Sequence, residues 1–392
     1  MEEVIIIGGG PTGFINALGL AQAGVRVTVL EAEPQIIDSP RAAVYHWSVL
    51  DGLQRLGMLQ EAEAVGVRKQ DYTYLVLRTG ERIVYSMAVL EGHTAHPYNL
   101  HLGQHRLADI AMRRLAGLAN ATVRFGTRLT DLRQDADGVT LRVATGDGAQ
   151  ELHTKWVVGA DGAASSVRRL LGLPFEGMSW PERFVATNVY YDFEHHGYAR
   201  ATFVIDEHFG AVIAVLNNEG LWRCTYMEDA ALPEESFLER VPQTYEAILP
   251  GGDRYELERA SPYRMHQRSA QSYRVGRVVL AGDAAHVTNP TGGLGLTSGL
   301  FDSYALYPAL SAVILDNADD AVLDRYAESR RELFLNLVSP QAIANKRLIY
   351  HANGGGAKLE EALVGLRRLS TDQEFLRQRL MFTKSLESRA LI

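Results

Sequence analysis

One cysteine, Cys224, in 392 residues leaves no intrachain disulfide and no cysteine-rich metal centre; a buried apolar thiol is what is expected of it. Basic runs are missing as well. With 39 Lys and Arg against 47 Asp and Glu the formal net charge is -8, which argues against nucleic acid as a partner. No apolar run reaches the length of about eighteen residues that a membrane span needs, so none is expected. The strongly apolar residues 4–7 follow Met1-Glu2-Glu3, an acidic flank where a secretory leader is basic. The expected compartment is therefore the cytoplasm. Neither repeats nor low-complexity tracts interrupt the chain. What remains, 46% apolar and 22% charged, is an ordinary globular composition with enough length for two domains or one elaborated domain.

Within that composition the pattern is α/β. Residues 4–7 read as a fully buried parallel strand, 12–23 as the helix after it, and 25–30 as a second strand ending at Glu31. Together they make a β-α-β unit of the usual ~30 residues. Residues 34–40 read as loop, 49–64 and 104–118 as helix, and 72–90 and 121–143 as strand. Between 188 and 227 the runs 201–205, 210–216 and 221–227 are short and β-rich, the last two separated by Asn217-Asn218-Glu219-Gly220, the turn chemistry of an antiparallel meander. Beyond Gly295 the chain reads as helix to its end, with a break at 351–356.

Three separated stretches carry nucleotide chemistry. In Gly8-Gly9-Gly10-Pro11-Thr12-Gly13 a strand turns sharply into a helix whose free N–H groups face a pyrophosphate. A side chain at Gly10 would block that approach, and one at Gly13 would push helix from strand. Glu31, eighteen residues past Gly13, sits where a carboxylate accepts ribose hydroxyls. This first motif does not separate FAD from NAD. The second stretch is Gly159-Ala160-Asp161-Gly162-Ala163-Ala164-Ser165-Ser166-Val167-Arg168. In the third, residues 278–281 form an apolar strand that delivers Asp283 at its C-terminal edge, in Gly282-Asp283-Ala284-Ala285-His286, followed by Pro290 and Gly293-Leu294-Gly295. A helix starting near Gly295 would turn the amides of Gly295, Leu296 and Thr297 back toward the site. Because this third stretch returns near residue 276, the meander is inserted into the nucleotide domain and not appended to it.

The second and third stretches resemble the D-G and G-D signatures of single-component flavoprotein aromatic hydroxylases, the para-hydroxybenzoate hydroxylase family. The likeness covers roughly residues 1–330. It implies a Rossmann-like FAD-binding domain in three segments (1–70, 101–178 and 266–330), an inserted antiparallel β-sheet substrate domain (71–100 and 179–265) and C-terminal helices (331–392). Carried over by resemblance, Gly8, Gly10 and Gly13 hold the FAD pyrophosphate, Glu31 the adenosine ribose, and Arg41 stands beside pyrophosphate and flavin. Gln104 reaches the ribityl or phosphate region, Asp283 the ribityl chain, and Asp161 is tied to both FAD and NAD(P)H handling. Where the family commonly has Asn, this chain has Thr297. The carbonyl of Pro290 would face the reactive position of the substrate.

The reaction so implied has noncovalent FAD reduced by NADH or NADPH, addition of O2 to give a flavin C4a-hydroperoxide, and hydroxylation of a phenolic or heteroaromatic ring. Ionising a phenol whose pKa lies near ~10 requires about 4 kcal/mol at pH 7. His46 is the candidate base; Tyr191, Arg223 and Tyr226 are candidates for the substrate face, from the sheet expected to roof the site. Residues 210–216 contain no basic side chain, which favours a neutral or larger apolar substrate. His195-His196 is no metal site, because adjacent strand residues point to opposite faces. The expected partners are a small aromatic substrate, with the protein a monomer or homodimer. Two other readings stay open: a same-fold flavoenzyme of different chemistry (halogenase or prenyl-chain reductase), and a redox sensor that holds FAD without turnover. The W-x-W-x-I-P stretch of halogenases is missing around Trp180 and Trp222.

Overall fold

The structure, a computed structural model, describes residues 2–38, 43–217, 219–252 and 254–392. Its central sheet runs in the order Val278–Leu280, Gly148–Gly159, Glu2–Ile7, Val27–Leu30 and Ala121–Arg124, all mutually parallel. Val4, Ile5, Ile6 and Ile7 are at most 5% exposed, as strands covered on both faces require. Helix Pro11–Gln22 returns the chain between the first two strands. The N-terminal half of Gly148–Gly159 pairs instead with Val139–Thr145, which pairs with Arg128–Gln134, an antiparallel flap on the same sheet.

A second sheet has eight strands, in the order His286–Val287, Glu256–Ala270, Phe175–Tyr190, Leu221–Asp229, Ala211–Val215, Ala201–Ile205, Asp71–Val76 and Glu81–Ser86. The segments expected to be β-rich on either side of the second nucleotide motif therefore share one sheet. Its two longest strands were not legible in the sequence. Phe175–Tyr190 contains Pro181, and its pairing with Glu256–Ala270, which contains Pro262, breaks register between Ser179 and Arg183. Proline removes a ladder donor, so sequence patterns discount such segments as strands. Helix Phe237–Ile248, interrupted by Pro242, was missed for the related reason that proline suits a helix interior poorly. A third, small sheet joins Val44–Tyr45, Asn99–His101 and Val67–Lys69.

Residues 49–64 resolve into two helices, Trp47–Arg55 and Leu59–Val65, because Gly57 between them adopts φ +73°. Leu294–Leu315 is long and apolar enough to span a membrane, yet 67% of its apolar window is buried inside the protein, as befits a core helix. Ala321–Leu333, Ser339–His351, Gly356–Thr371 and Gln373–Met381 complete the helical C-terminal part.

Which face of the large sheet looks toward the nucleotide motifs decides the function of its residues. Trp222, Cys224 and Tyr226 pack with Val241 and Tyr245 of helix Phe237–Ile248. The alternate residues of the same strand point the other way. There Tyr350, from helix Ser339–His351, donates its hydroxyl to the Thr225 carbonyl at 3.1 Å, and Phe203, Val212 and Met227 cluster with it. The same helix reaches the third motif, Asn345 donating to the Thr291 carbonyl at 3.4 Å.

Candidate active site

The register of the central sheet brings the three motifs to one edge. Ile7 lies level with Leu30 and with Gly159, and Gly159 with Leu280. The next residues are stitched across: Gly8 N–H to the Leu30 carbonyl (2.8 Å), Ala160 N–H to Ile7 (2.8 Å), and Ala281 N–H to Gly159 (3.0 Å). Glu31, Asp161 and Asp283 thus follow the carboxyl ends of strands in one parallel stretch of the sheet, with Glu2–Ile7 between the first two, where open α/β sheets take ligands.

The glycines of the first motif have different physical jobs. A Cβ on Gly13 would stand 1.9 Å from the Gly8 carbonyl oxygen, and one on Gly8 (φ +109°) 2.4 Å from that of Ala160. These two let the strands and helix close on one another. A Cβ on Gly10 would meet nothing within 4 Å. The space in front of Gly10, at the start of helix Pro11–Gln22, is where a pyrophosphate fits. Glu31 reaches back to the same turn, its Oε2 accepting the Gly9 N–H at 2.6 Å. Asp283 is exposed while its neighbours from Ala281 to Val287 are buried, so its carboxylate looks out over the edge.

Asp161 holds its own loop. Its carboxylate accepts from Ser165 Oγ (2.5 Å) and from the N–H groups of Ser166 (2.6 Å) and Val167 (3.2 Å), while burial raises its pKa. Arg168, quoted in the motif but given no role there, donates to the carbonyls of Ala163 (2.7 Å) and Ala284 (2.8 Å) and so ties the second motif to the third.

Further supports carried no sequence signal. Asp302, fully buried in helix Leu294–Leu315, accepts from Gly282 N–H (2.9 Å) and His286 Nε2 (2.7 Å) on one oxygen and from Arg330 Nε (2.7 Å) on the other. Burial alone would raise its pKa, but His286 and Arg330 bring it down to about 2. Gln267, from the large sheet, fixes the loop before Pro290: its Oε1 accepts from Asn289 N–H (3.1 Å) and Thr288 Oγ1 (3.0 Å).

Beside that loop stands His46. Thr297 Oγ1 donates to the Gly293 carbonyl (3.1 Å), which leaves it to accept from His46 Nδ1 (2.7 Å). The imidazole is thereby the Nδ1–H tautomer with Nε2 as acceptor, and burial lowers its pKa to about 4, so it is neutral at physiological pH. Thr297, expected to present its amide, uses its hydroxyl to hold His46. The helix also begins one residue early, at Leu294 with Gly293 as its cap. The free amides are accordingly those of Leu294, Gly295 and Leu296, and the Thr297 N–H falls within the helical ladder. Pro290 closes the turn before this helix, its carbonyl accepting Gly293 N–H at 3.0 Å.

Of the three candidates from the large sheet, only Arg223 is on the face toward these groups; its Nε donates to Asn188 Oδ1 at 2.8 Å. Tyr226 points to the opposite face, its ring centroid 6.4 Å from that of Tyr245. Tyr191 packs at the sheet's end against Phe193 and stacks on His196. For Tyr226 the correction is strand parity, since neighbours at odd spacing cannot share a face, while Tyr191 falls just past the end of its strand and joins the same apolar cluster as Tyr226. The face toward the motifs carries Arg223 with Ala214 directly opposite it, and Thr225 with Val212 opposite. Gln104 opens helix Gln104–Leu115, partly exposed. Arg41 lies outside the described residues.

Two further buried groups follow, His101 near His46 and Lys69 near His101. His101, opposite Val44 and Val67 in the small sheet, has neither ring nitrogen in a well-formed hydrogen bond; burial, then Lys69 and His46, lower its pKa to about 3 against the opposing Val215 backbone. Lys69, only 2% exposed, donates to the Arg200 carbonyl, and burial followed by Arg200 lowers its pKa to about 6. Lys69 also lines a cleft of about 500 Å³ with Asp71, Glu194 and Arg200.

A nucleotide cradle on a parallel sheet, helix amides facing its third strand end, and a neutral buried imidazole beneath a second sheet define a flavin-dependent oxidoreductase. The comparisons with known proteins agree. The family described as FAD binding domain matches residues 1–339. The chain is 44% identical over 388 residues to 6-hydroxy-3-succinoylpyridine 3-monooxygenase HspB of Pseudomonas putida, covering 99% of this chain and 98% of that protein. It is 40% identical over 396 residues to para-nitrophenol 4-monooxygenase of Pseudomonas sp. strain WBC-3, covering 100% and 98%. The crystal structure of p-nitrophenol 4-monooxygenase PnpA from Pseudomonas putida DLL-E4 superposes with a TM-score of 0.96 at 40% identity, over 99% of both chains. Aklavinone-11 hydroxylase, solved with FAD and aklavinone, superposes at 0.79 with 28% identity, over 89% of this chain and 69% of that one. The chain belongs to the FAD binding domain family and is an FAD-dependent aromatic monooxygenase.

Proposed function

We propose that this protein oxygenates a phenol or hydroxypyridine at the ring carbon para to the hydroxyl, a carbon that itself carries an electron-withdrawing substituent. The two relatives support this, since 6-hydroxy-3-succinoylpyridine 3-monooxygenase and para-nitrophenol 4-monooxygenase are both named for oxygenation at such a carbon. FAD, when bound, accepts hydride from NAD(P)H and activates O2. The residues that would hold it are Gly8, Gly10, Gly13, Glu31, Gln104 and Asp283, with the amides of Leu294, Gly295 and Leu296 beside the ring. Asp161 and Arg168 keep two of those loops together.

The observation that carries the reading is the neutral imidazole of His46, its tautomer set by Thr297 and its Nε2 left as an acceptor. Removing the phenolic proton puts charge on the para carbon and makes it the ring's nucleophile. His46 Nε2 accepts the hydrogen bond of the phenolic hydroxyl, and the proton leaves on the buried side of the site, where His101 and then Lys69 lead to the outer cleft. The Pro290 carbonyl orients the ring. Val212, Ala214 and Thr225 give the site an apolar wall, and Arg223 on the same face brings positive charge toward a nitro or carboxylate group. Purified, FAD-loaded protein should oxidise NAD(P)H faster when 4-nitrophenol or a 3-acyl-6-hydroxypyridine is added, with product formed in proportion. If neither class accelerates oxidation, the substrate assignment is wrong.

A further inference from the structure

The loop that carries Pro290 leaves the large sheet where backbone pairing stops. Strand Glu256–Ala270 meets His286–Val287 through two rungs, Ser269 with His286 and Arg268 with Val287. Gln267 and Thr288 come next, and there a side chain takes over from the ladder. Gln267 shares a strand face with Tyr263 and Met265, which cluster with Tyr350 on the side toward the nucleotide motifs. It is 6% exposed, and both ends of its carboxamide are occupied. Oε1 accepts from Asn289 Nδ2 (3.2 Å) besides the Asn289 N–H and the Thr288 hydroxyl. Nε2 donates to Thr288 Oγ1 (2.8 Å) and to Ser339 Oγ (2.8 Å). The backbone donor on Oε1 fixes which end of the amide is oxygen.

The rest of the loop is built on this point. Asn289 Oδ1 accepts the Thr291 N–H at 3.1 Å, a side-chain turn that spans Pro290. Asn345 holds the far side, donating to the Thr291 carbonyl at 3.4 Å and itself held by Gln341 Nε2 at 2.7 Å. The Pro290 peptide is thus gripped from the sheet by Gln267 and from helix Ser339–His351 by Asn345. The contacts made by Gln267 are the shorter and more numerous.

We propose that Gln267 is a positioning residue for the oxygenation: its carboxamide sets where the Pro290 carbonyl stands against the substrate ring. The inference rests on the reading that this carbonyl orients the ring. A displacement of about 1 Å at such a contact costs up to about 100-fold in rate. With the ring misplaced, two electrons from NAD(P)H and two protons convert O2 to H2O2, and no oxygen atom enters the ring.

The test compares Gln267→Met and Gln267→Glu in FAD-loaded protein. Methionine keeps the length and offers no comparable hydrogen bond; glutamate keeps oxygens to which Asn289, Thr288 and Ser339 donate. Three quantities are read: amide hydrogen exchange of the peptide containing residues 288–293, the KM for 4-nitrophenol or a 3-acyl-6-hydroxypyridine, and product formed per NAD(P)H. Gln267→Met should exchange this loop about tenfold faster, raise KM about tenfold and at least halve the product yield, H2O2 making up the difference. Gln267→Glu should stay within about threefold of the parent in each. A role confined to stability would lower the melting temperature and leave the product yield intact. Parental loop exchange with parental yield in Gln267→Met overturns the proposal, as does a Gln267→Glu protein as uncoupled as the methionine variant. If Gln267→Met does not fold, Thr288→Val removes only the hydroxyl and should accelerate loop exchange about threefold; parental exchange there overturns the proposal equally. A parent protein that responds to neither aromatic class counts against the substrate assignment, while loop exchange, which needs no substrate, still decides the role of Gln267.

Discussion

Replacing Gly10 and Gly13 singly by alanine separates what the protein needs to fold from what it needs to hold a nucleotide. At Gly13 the new methyl would overlap the Gly8 carbonyl at 1.9 Å, backbone against backbone, with Ala160 Cβ 3.6 Å behind it. The first helix must then slide off the first strand, at about 1–3 kcal/mol or more. At Gly10 the methyl points into open space, and φ -82° with ψ 180° is comfortable for alanine. Alanine is a poorer helix cap than glycine by several tenths to about 1 kcal/mol. Its smaller unfolded-state entropy returns about 0.4–1 kcal/mol. The apoprotein should melt within a few degrees of the parent. FAD is another matter, because the methyl occupies the pyrophosphate's approach; about 1–3 kcal/mol of lost contact lowers affinity roughly 5- to 150-fold. Thermal melts of apoprotein and flavin-fluorescence titrations read the two effects independently. A Gly10→Ala protein that retains parental FAD affinity, or a Gly13→Ala apoprotein that melts normally, would refute the assignment of these two glycines.

Asp283→Ala should release FAD, seen as loss of yellow colour on gel filtration, with an unchanged circular dichroism spectrum; retained flavin would remove Asp283 from the site. Thr297→Val deprives His46 Nδ1 of its acceptor, so hydroxylation should fall about tenfold and its pH profile change, while FAD affinity holds; an unmoved profile would return His46 to a packing role. Lys69→Met should erase a titration near pH 6 from the hydroxylation profile without altering the fold, and persistence of that titration would exclude Lys69 from proton release. Asp302→Asn leaves Arg330 buried without its counter-charge and should cost about 3–5 kcal/mol in chemical denaturation. Since the folded Asp302 carboxyl sits at about 2, below its unfolded value near ~3.9, its contribution is complete above about pH 4 and is lost as pH falls through 2. Equal denaturation midpoints for parent and variant at pH 6 would contradict this.

The residues legible in advance are those whose role is local. Gly8, Gly10 and Gly13 follow from one strand-turn-helix, and Asp283 from a strand that stops. Partners distant in sequence were out of reach: Asp302 and Arg330 look like ordinary helix residues until His286 and Gly282 are placed against them. Gln267 sits in a strand disguised by Pro262. Tyr226 was misplaced although its strand was found, because alternation fixes which residues share a face but not which face a helix will cover. Helix Phe237–Ile248 covers the Tyr226 side, and Thr225 and Val212 inherit the position expected of Tyr226. The role of Thr297 depended on where its helix begins, a shift of one residue beyond what spacing reveals.

A crystal structure of the FAD-bound protein would test the convergence of the three motifs most directly. The pyrophosphate should lie against Gly10 and the first turn of helix Pro11–Gln22, with Glu31 at the adenosine ribose and Asp283 at the ribityl chain. The flavin ring should meet the amides of Leu294–Leu296 on the side where His46 stands. Flavin seated elsewhere, or a ring out of reach of both His46 and the Pro290 loop, would contradict the account.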